Sequence, residues 1–280
     1  MRLKGLRRSR NVEDRRRSGG RGVRGAGIGG VGMIVVLAIG YFAGIDVTPL
    51  LQGGGQVQTS APRELSAEEE RAADFSARVL ASTEEVWSDL MPQQVGQEYH
   101  PPVMVLYSGI TRSPCGGASG ATGPFYCPAD RKAYLDTEFF ATLSQRLGAR
   151  GDFAAAYVIA HEVAHHVQNE LGILGQVSEA RQASSERQAN ALTVRLELQA
   201  DCLSGVWAQA VDSLLEPGDL DEALNAARRI GDDHLQRQAG RVPQPHTFTH
   251  GTSEQRSRWF ATGYDSGQMG ACDTFGTEQL

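Results

Sequence analysis

Residues 161–170 read HEVAHHVQNE and combine three histidines with two glutamates. On a helix, His161 and His165 project from one face because they lie four residues apart, so their imidazoles can share one metal ion. Glu162 stands next to the first of them. In the H-E-x-x-H pattern the histidines hold Zn²⁺, and the glutamate acts as general base towards a water that the metal makes acidic. The pattern therefore predicts one zinc ion per chain and hydrolytic chemistry.

A third ligand must lie elsewhere, because a catalytic zinc normally has three protein ligands and one open position. His166 points about 100° away from His165 around a helix. We therefore interpret His166 as a surface histidine or one that supports a ligand from behind. The variant with a third histidine would need glycine at 168 and histidine at 171. Those positions hold Gln168 and Leu171, which excludes that class.

A glutamate from a following helix is the other common third ligand. Within residues 184–210, apolar side chains recur at helical spacing, and Glu197 and Asp201 lie one turn apart. One carboxylate can bind the metal while the other accepts a hydrogen bond from the outer nitrogen of a ligating histidine. We predict Glu197 as the ligand and Asp201 as that partner, although an isolated pair of this kind is usually solvated. The competing acids, which lack a matching acid one turn later, are Glu170, Glu179 and Glu186.

Two further histidines are candidates for stabilising the oxyanion formed when water attacks a carbonyl. His234 and His250 lie in the C-terminal part of the chain, and a positioned donor of this kind contributes several kcal/mol in comparable sites. For each histidine taken alone, a structural role near a turn is the more common one. Both interpretations stay open.

Two helices must bring these residues together. In residues 151–172 apolar side chains recur with the i, i+3, i+4 spacing of a helix that buries one face, and residues 184–210 follow the same pattern. Strands and further helices are predicted around them. These are a helix over 67–90 after the capping box Ser66/Glu69, strands over 102–108 and 131–136, and helices over 137–148 and 253–260.

The charge pattern indicates a membrane anchor. Residues 1–24 contain ten Lys or Arg and two acidic residues, whereas the other 256 contain 17 and 31. The twenty residues 26–45 are uncharged and about long enough to span a bilayer. The basic run before this stretch and a weak cleavage signal after it favour an uncleaved transmembrane helix over a signal peptide. A buried core helix is the other alternative.

The positive-inside tendency then sets the domain organisation. We predict a basic cytoplasmic tail over 1–25, a transmembrane helix over 26–45, a flexible linker over 46–65 and an extracytoplasmic domain over 66–280. The protein would be a single-pass protein of the plasma (inner) membrane. Gly40 and Gly44 have the spacing that can pair two anchors into a dimer. The acidic domain disfavours nucleic acid as a partner.

Four cysteines follow the span, and an even number in an exported segment suggests two disulfides, for which three pairings exist. Cys115 and Cys127 lie close together around a glycine-rich loop. We therefore favour that pair, which leaves Cys202 with Cys272. Free buried thiols are the alternative, and the oxidising side of a membrane disfavours them.

Several motifs together resemble the neutral zinc metallopeptidases of bacteria, a membrane-anchored family among the zinc peptidases whose third ligand is glutamate. The motifs are HEVAHHVQ, GPFYCPAD followed by AYLD, ELQADC, and FTHGTSEQR followed by WF and ACDTF. The resemblance covers roughly residues 66–276, and the basic tail carries no recognisable motif. It implies metal binding by His161 and His165 with Glu162 catalytic.

The expected fold class is α+β, a zincin-like metallopeptidase domain that is mostly helical with a small antiparallel sheet, preceded by one transmembrane helix. The expected substrate is a protein or peptide. Two other functions stay open, a zinc-binding envelope scaffold without hydrolysis and an enzyme that cleaves a cell-wall amide. An open metal position together with Glu162 favours hydrolysis, because structural zinc sites usually have four protein ligands.

Overall fold

The computed structural model describes four parts of the chain. They are residues 1–17, 64–119, 123–145 and 147–280. The predicted span 26–45, with Gly40 and Gly44, lies outside the described residues, as does most of the predicted linker. Among the helices that are described, none combines the length and the apolar character needed to cross a bilayer.

The described elements give a mostly helical domain with a small sheet, in agreement with the predicted α+β class. In chain order they are β1 (Val12–Asp14), α1 (Ala67–Val95), β2 (Val103–Tyr107), β3 (Ile110–Ser113), β4 (Gly116–Ser119), β5 (Phe125–Cys127), β6 (Lys132–Asp136), α2 (Phe139–Gln145), α3 (Asp152–Glu170), α4 (Ile173–Gln182), α5 (Glu186–Ala210), α6 (Asp219–Arg229), α7 (Asp232–Gln238) and α8 (Ser253–Ser266), with 3₁₀ turns at Asp212–Leu214, Pro245–Thr247 and Met269–Cys272.

The main sheet is mixed, with strand order β1-β2-β6-β5, and β3 and β4 form a separate hairpin. The prediction of an antiparallel sheet was wrong for its two central strands, because β2 and β6 are parallel with Val105 opposite Tyr134. Parallel neighbours need a long crossover connection, and the hairpin and β5 supply it. β5 pairs antiparallel with β6 and lies at the edge of the sheet.

Helix α3 lies in the core with almost no exposed face. Its alanines and larger apolar residues, such as Phe153 and Val163, are buried, as expected for a helix that is apolar all round. It packs against α1, α5 and α6. Helix α1 begins with the predicted capping box of Ser66 and Glu69, and it ends at Gly96, whose φ of 69° is left-handed.

Helices α5 and α8 approach each other unusually closely because glycines lie at their crossing. A Cβ at Gly263 would lie 1.8 Å from the carbonyl oxygen of Cys202, and one at Gly205 would lie 2.0 Å from that of Phe260. Only residues without a side chain fit at these two positions. The close crossing brings Arg256 on α8 within reach of the acidic side chains of α5.

Both disulfides have the pairing predicted from the sequence. Cys115 joins Cys127 across the hairpin region, and Cys202 joins Cys272, which lies in the last 3₁₀ turn. The second bond holds the C-terminal segment against α5, directly beside Asp201 in sequence.

The N-terminal segment, predicted as a basic cytoplasmic tail, contacts the folded domain. Residues 1–17 pack against the domain, and β1 joins its sheet by pairing parallel to β2. Leu3 is buried in the main core and Val12 packs against it. The side of the membrane on which residues 1–17 lie stays a prediction.

Candidate metal centre

Three side chains from two helices converge on one point. The Nε2 atom of His161 lies 3.1 Å from Oε2 of Glu197, and Nε2 of His165 lies 3.5 Å from Oε1 of the same carboxylate. One ligand atom from each of the three residues lies within 4.8 Å of the other two. The histidines come from α3 and the glutamate from α5, as predicted.

This donor set fits a zinc ion. Zinc bonds of about 2.0–2.1 Å with tetrahedral angles place neighbouring ligand atoms roughly 3.3 Å apart, close to the two separations between imidazole and carboxylate. Two imidazoles and one carboxylate also match the composition of catalytic sites that leave a fourth position open. His161, His165 and Glu197 would therefore hold the metal, and the ligand set needs no rearrangement of the helices.

Asp201 orients His161 from behind. Its Oδ1 lies 3.0 Å from Nδ1 of His161 and also accepts the hydroxyl of Tyr157. Arg256 donates from Nε to Oδ2 at 2.8 Å and from Nη2 to Oδ1 at 2.9 Å. Burial disfavours the Asp201 carboxylate, but Arg256 and His161 outweigh burial and lower its pKa. Because the carboxylate can only accept, it fixes the Nδ1 proton of His161 and leaves Nε2 facing Glu197.

Gln168 plays the same part for His165. Its Oε1 lies 2.8 Å from Nδ1 of that histidine, and its amide nitrogen donates to the carbonyl of Leu196 at 2.7 Å and to Oε1 of Gln199 at 3.0 Å. The amide nitrogen is thereby held by α5, so the amide oxygen is the acceptor for the histidine. Both ligating imidazoles therefore have their outer nitrogen fixed.

The charges at the centre suit a cation. Burial disfavours protonation of His161, but hydrogen bonds to Asp201 and Glu197 outweigh it and raise the pKa of His161 to about 10. Burial also disfavours the Glu197 carboxylate, yet the charges of His165 and His250 and the hydrogen bond from His161 bring its pKa well below the usual range. A divalent cation would place its charge between the same groups and would compete there with a proton on His161.

Glu162 lies in the same buried region, one residue after the first ligand. Burial raises its pKa, while the charges of His165 and His161 oppose that rise. Its carboxylate therefore lies in a dry environment beside the two histidines.

Of the two remaining histidine candidates, the structure places His250 near the centre. Burial lowers its tendency to protonate, but the charges of Glu197 and Asp232 outweigh that effect and raise its pKa. Asp232 also accepts the backbone N–H groups of Thr249, His250 and Gly251, at 2.7, 2.6 and 3.0 Å, and its Oδ1 lies 3.3 Å from Nδ1 of His250. The turn that carries the histidine is thus built around one carboxylate.

His234 has different neighbours. Its Nε2 lies 3.5 Å from Nη1 of Arg229, and burial followed by the charge of that arginine lowers its pKa. The charged groups that act on it are Arg229, Asp233 and Arg237. None of them belongs to the metal centre, so the structure does not bring His234 to the site.

Comparison with known proteins identifies the family. The sequence matches the family described as Putative neutral zinc metallopeptidase over residues 1–275. The chain belongs to this family. The uncharacterized protein YpfJ of Escherichia coli K12 is 47% identical over 286 residues, 99% of each chain. The uncharacterized protein Rv2575 of Mycobacterium tuberculosis H37Rv is 42% identical over 219 residues, 72% of this chain and 71% of its own. No match was found among solved protein structures.

Membership of this zinc metallopeptidase family extends further along the chain than the motifs indicated. The family match begins at residue 1, whereas the motifs cover about 66–276. The basic N-terminal segment is therefore included in the match.

His166 differs from its interpretation as a possible surface residue. It is 1% exposed. Its Nε2 donates to the carbonyl oxygen of His100 at 2.6 Å, and its Nδ1 lies 3.0 Å from the hydroxyl of Tyr126 on β5. Burial is the main reason that its pKa falls to about 4. His166 therefore joins the metal-binding helix to the edge strand.

The competing third ligands do not reach the centre. Glu170 is paired with Arg131 and with His100, whose Nδ1 lies 3.1 Å from its Oε2. Glu179 and Glu186 are exposed. Only Glu197, among the four acids considered from the sequence, faces both histidines.

Proposed function

We propose that this chain is a zinc-dependent peptidase that hydrolyses peptide bonds in protein or peptide substrates. One observation carries the proposal. The Nε2 atoms of His161 and His165 face the two oxygens of Glu197, while their outer nitrogens are held by Asp201 and Gln168. An arrangement with three protein ligands and a nearby carboxylate supports hydrolysis rather than a structural site closed by four protein ligands.

The residues have distinct parts in the proposed reaction. When bound, zinc supplies a Lewis acid that makes water acidic enough to lose a proton near neutral pH. Glu162 accepts that proton while the water oxygen forms a bond to the peptide carbonyl carbon. Glu162 then returns the proton to the peptide nitrogen as the carbon–nitrogen bond breaks. The second proton of the water also passes to that nitrogen, so the products are a carboxylate and a protonated amine, and the glutamate ends in its starting state.

His250 is the proposed oxyanion stabiliser. The charge that develops on the carbonyl oxygen needs a donor already in place. Asp232 lies beside Nδ1 of His250 and fixes the surrounding turn. Nε2 is the other ring nitrogen, and it donates when the imidazole is protonated, which the raised pKa of His250 favours. The electrostatic influence of Glu197 on His250 supports its closeness to the metal ligands. His234 has no part in the proposed reaction.

The edge strand β5 is the proposed place for an extended substrate. In the described sheet β6 has neighbours on both sides, so both of its edges are used. β5 pairs with β6 on one side. Its Tyr126 is hydrogen-bonded to His166 of the metal-binding helix α3. A peptide that adds to this edge by backbone hydrogen bonds would lie next to the centre.

Attachment to the membrane through residues 26–45 is part of the proposal, without the requirement that they cross it once. The two disulfides support an oxidising compartment for the domain. Pairing of two anchors through Gly40 and Gly44, and the expectation that nucleic acid is not a partner, stay predictions.

The test compares the purified full chain with its Glu162→Gln variant. The amide cannot accept a proton, so hydrolysis of a mixture of fluorogenic peptides should fall by about 10²–10⁴-fold, while zinc content by mass spectrometry stays at one per chain. Glu179→Gln, on the exposed face of α4, is the matched control and should change neither quantity.

Two results would contradict the proposal. Equal hydrolysis by wild type and Glu162→Gln would refute the general-base assignment. A wild-type chain that binds zinc but cleaves none of the peptides, nor unfolded protein, would refute the peptidase and favour a scaffold or an enzyme acting on another amide.

A further inference from the structure

We propose that residues 1–17 are a permanent part of the folded domain and lie on the same side of the membrane as the metal centre. The proposal is independent of the reaction that the centre catalyses. It replaces the prediction of a cytoplasmic tail, and it rests on backbone pairing, on one buried carboxylate and on a set of complementary charges.

Backbone hydrogen bonds join the segment to the sheet. The N–H of Met104 donates to the carbonyl of Asn11 at 2.8 Å, and the N–H of Arg15 donates to the carbonyl of Leu106 at 2.8 Å. Between these bonds, Val12 to Asp14 run parallel to β2. β2 is otherwise paired only with β6 in the described sheet, so removal of β1 would leave an open edge beside a buried core.

Glu84 of α1 is a buried carboxylate whose partners come from the N-terminal segment. It is 5% exposed. Arg7 donates from Nη1 at 2.9 Å, Asn11 donates from Nδ2 at 2.8 Å, and the hydroxyl of Ser9 also donates to it. Removal of the partners of a buried charge strongly destabilises a fold. Residues 7–11 therefore account for the presence of a buried carboxylate, Glu84, in the middle of α1.

The opposite charges of the two regions meet in the same interface. Arg7 pairs with Glu85 at 2.7 Å and Arg17 with Glu70 at 3.0 Å, and Arg8 lies 3.3 Å from an oxygen of Asp74. These acids all lie on α1. Exposed ion pairs each contribute little stability. They nevertheless give the basic residues of the N-terminal segment a role in packing against α1, in addition to any effect on membrane topology.

Arg16 anchors the end of the segment. Its side chain is only 2% exposed. The guanidinium donates to the backbone carbonyl of Glu69 at 2.6 Å and to Oδ1 of Asp14 at 2.9 Å. A guanidinium at this depth is stable only with its donors satisfied. The first turn of α1 therefore depends on a contact with the N-terminal segment.

These contacts exclude a bilayer between the two regions. The hydrocarbon core is about 30 Å thick, whereas the segment and the domain meet at hydrogen-bond distance. An odd number of membrane crossings between Arg17 and Glu64 would place them on opposite sides. If the domain is exported, as its disulfides favour, residues 1–17 are exported with it.

The test labels single cysteines in the full chain inside living cells. Lys4 and Val242 are both exposed, so Lys4→Cys and Val242→Cys report on the segment and on the domain. A membrane-impermeant maleimide is added to spheroplasts that express either variant. We expect the two cysteines to be labelled to the same extent, within about twofold, and both to react fully after detergent. Labelling of Val242→Cys with at least tenfold less labelling of Lys4→Cys before detergent, or the reverse, would overturn the proposal.

A second measurement tests the packing itself. Arg7→Cys/Glu85→Cys joins the segment to α1 through a short bismaleimide reagent, and a protease site inserted within residues 18–63 then allows the chain to be cut. We expect the N-terminal fragment to stay attached to the domain on a denaturing gel in the double variant only, with each single variant as its control. Release of the fragment from the double variant would overturn the proposal even if the labelling agrees.

Discussion

Two buried carboxylates, Asp201 and Glu84, show how similar surroundings can serve different ends. Each is held by an arginine and by neutral donors from a distant part of the chain. Asp201, however, is hydrogen-bonded to His161, whose other ring nitrogen faces Glu197. Its charge therefore orients a side chain that belongs to the candidate metal centre. The partners of Glu84 come from residues 7–11 and have no such second function. A buried acid alone therefore indicates a contact that stabilises the fold. A functional site is indicated only where several possible metal ligands also converge.

Arg256→Met should give the largest effect, because it leaves Asp201 as a buried carboxylate without its main cationic partner. We expect a loss of about 3–5 kcal/mol in the free energy of unfolding, measured by chemical denaturation. Arg258→Met, at an exposed position of the same helix, is the control and should change stability by less than about 0.5 kcal/mol. Similar losses in the free energy of unfolding in both variants would mean that the ion pair with Asp201 does not stabilise the fold.

Asp201→Asn should weaken zinc binding about 10–100-fold, since it removes the charged acceptor that orients His161. The readout is zinc affinity in competition with a chromophoric chelator. Asp265→Asn, which alters an exposed acid, should leave affinity unchanged. An unchanged affinity in Asp201→Asn would contradict the orienting role, whatever happens to stability.

Glu84→Gln should lower the free energy of unfolding by about 1–3 kcal/mol and leave zinc affinity unchanged. The amide keeps the size of the side chain but has no negative charge. Only one of its two terminal atoms accepts hydrogen bonds, so it cannot replace the carboxylate towards all three donors of the N-terminal segment. Glu85→Gln, whose carboxylate is 58% exposed, is the neighbouring control with a smaller effect. A change in zinc affinity at position 84 would break the distinction between the two carboxylates.

A small pH effect should accompany docking of β1. Hydrogen bonds from Arg15 and then Lys132 lower the pKa of Glu13 from its usual 4.5. A lowered carboxyl pKa stabilises the fold above that usual value, and the contribution disappears as pH falls through the lower, folded value. The stability difference between wild type and Glu13→Gln should therefore shrink below pH 4.5. A difference that is constant in thermal denaturation at acid pH would contradict this assignment.

Helical patterns in the sequence were informative because they depend on local spacing. They predicted the helices that carry His161 and Glu197, and the i, i+4 relation of Glu197 and Asp201 was enough to bring both acids to one side of α5. The cysteine pairings followed from sequence distance and compartment. The last helix was predicted only over 253–260, but α8 continues to Ser266.

Contacts between distant segments could not be predicted in the same way. In the sequence, Gln168 was used only to exclude the class of site with a third histidine. Its spacing of three residues from His165 could also have predicted that it accepts a hydrogen bond from that histidine. Arg256 was missed because it reaches Asp201 only through the close crossing of α5 and α8. The β1 strand was missed because three residues in a basic stretch carry no periodicity, and strand direction could not be read without the crossover between β2 and β6.

The central claim is that His161, His165 and Glu197 bind one zinc ion together. Anomalous diffraction at the zinc absorption edge from crystals of the full chain tests it most directly. We expect one peak about 2.0–2.2 Å from Nε2 of each histidine and from a carboxylate oxygen of Glu197. A peak at another set of residues, or a zinc-loaded chain in which Glu197 points away from the two histidines, would contradict the account.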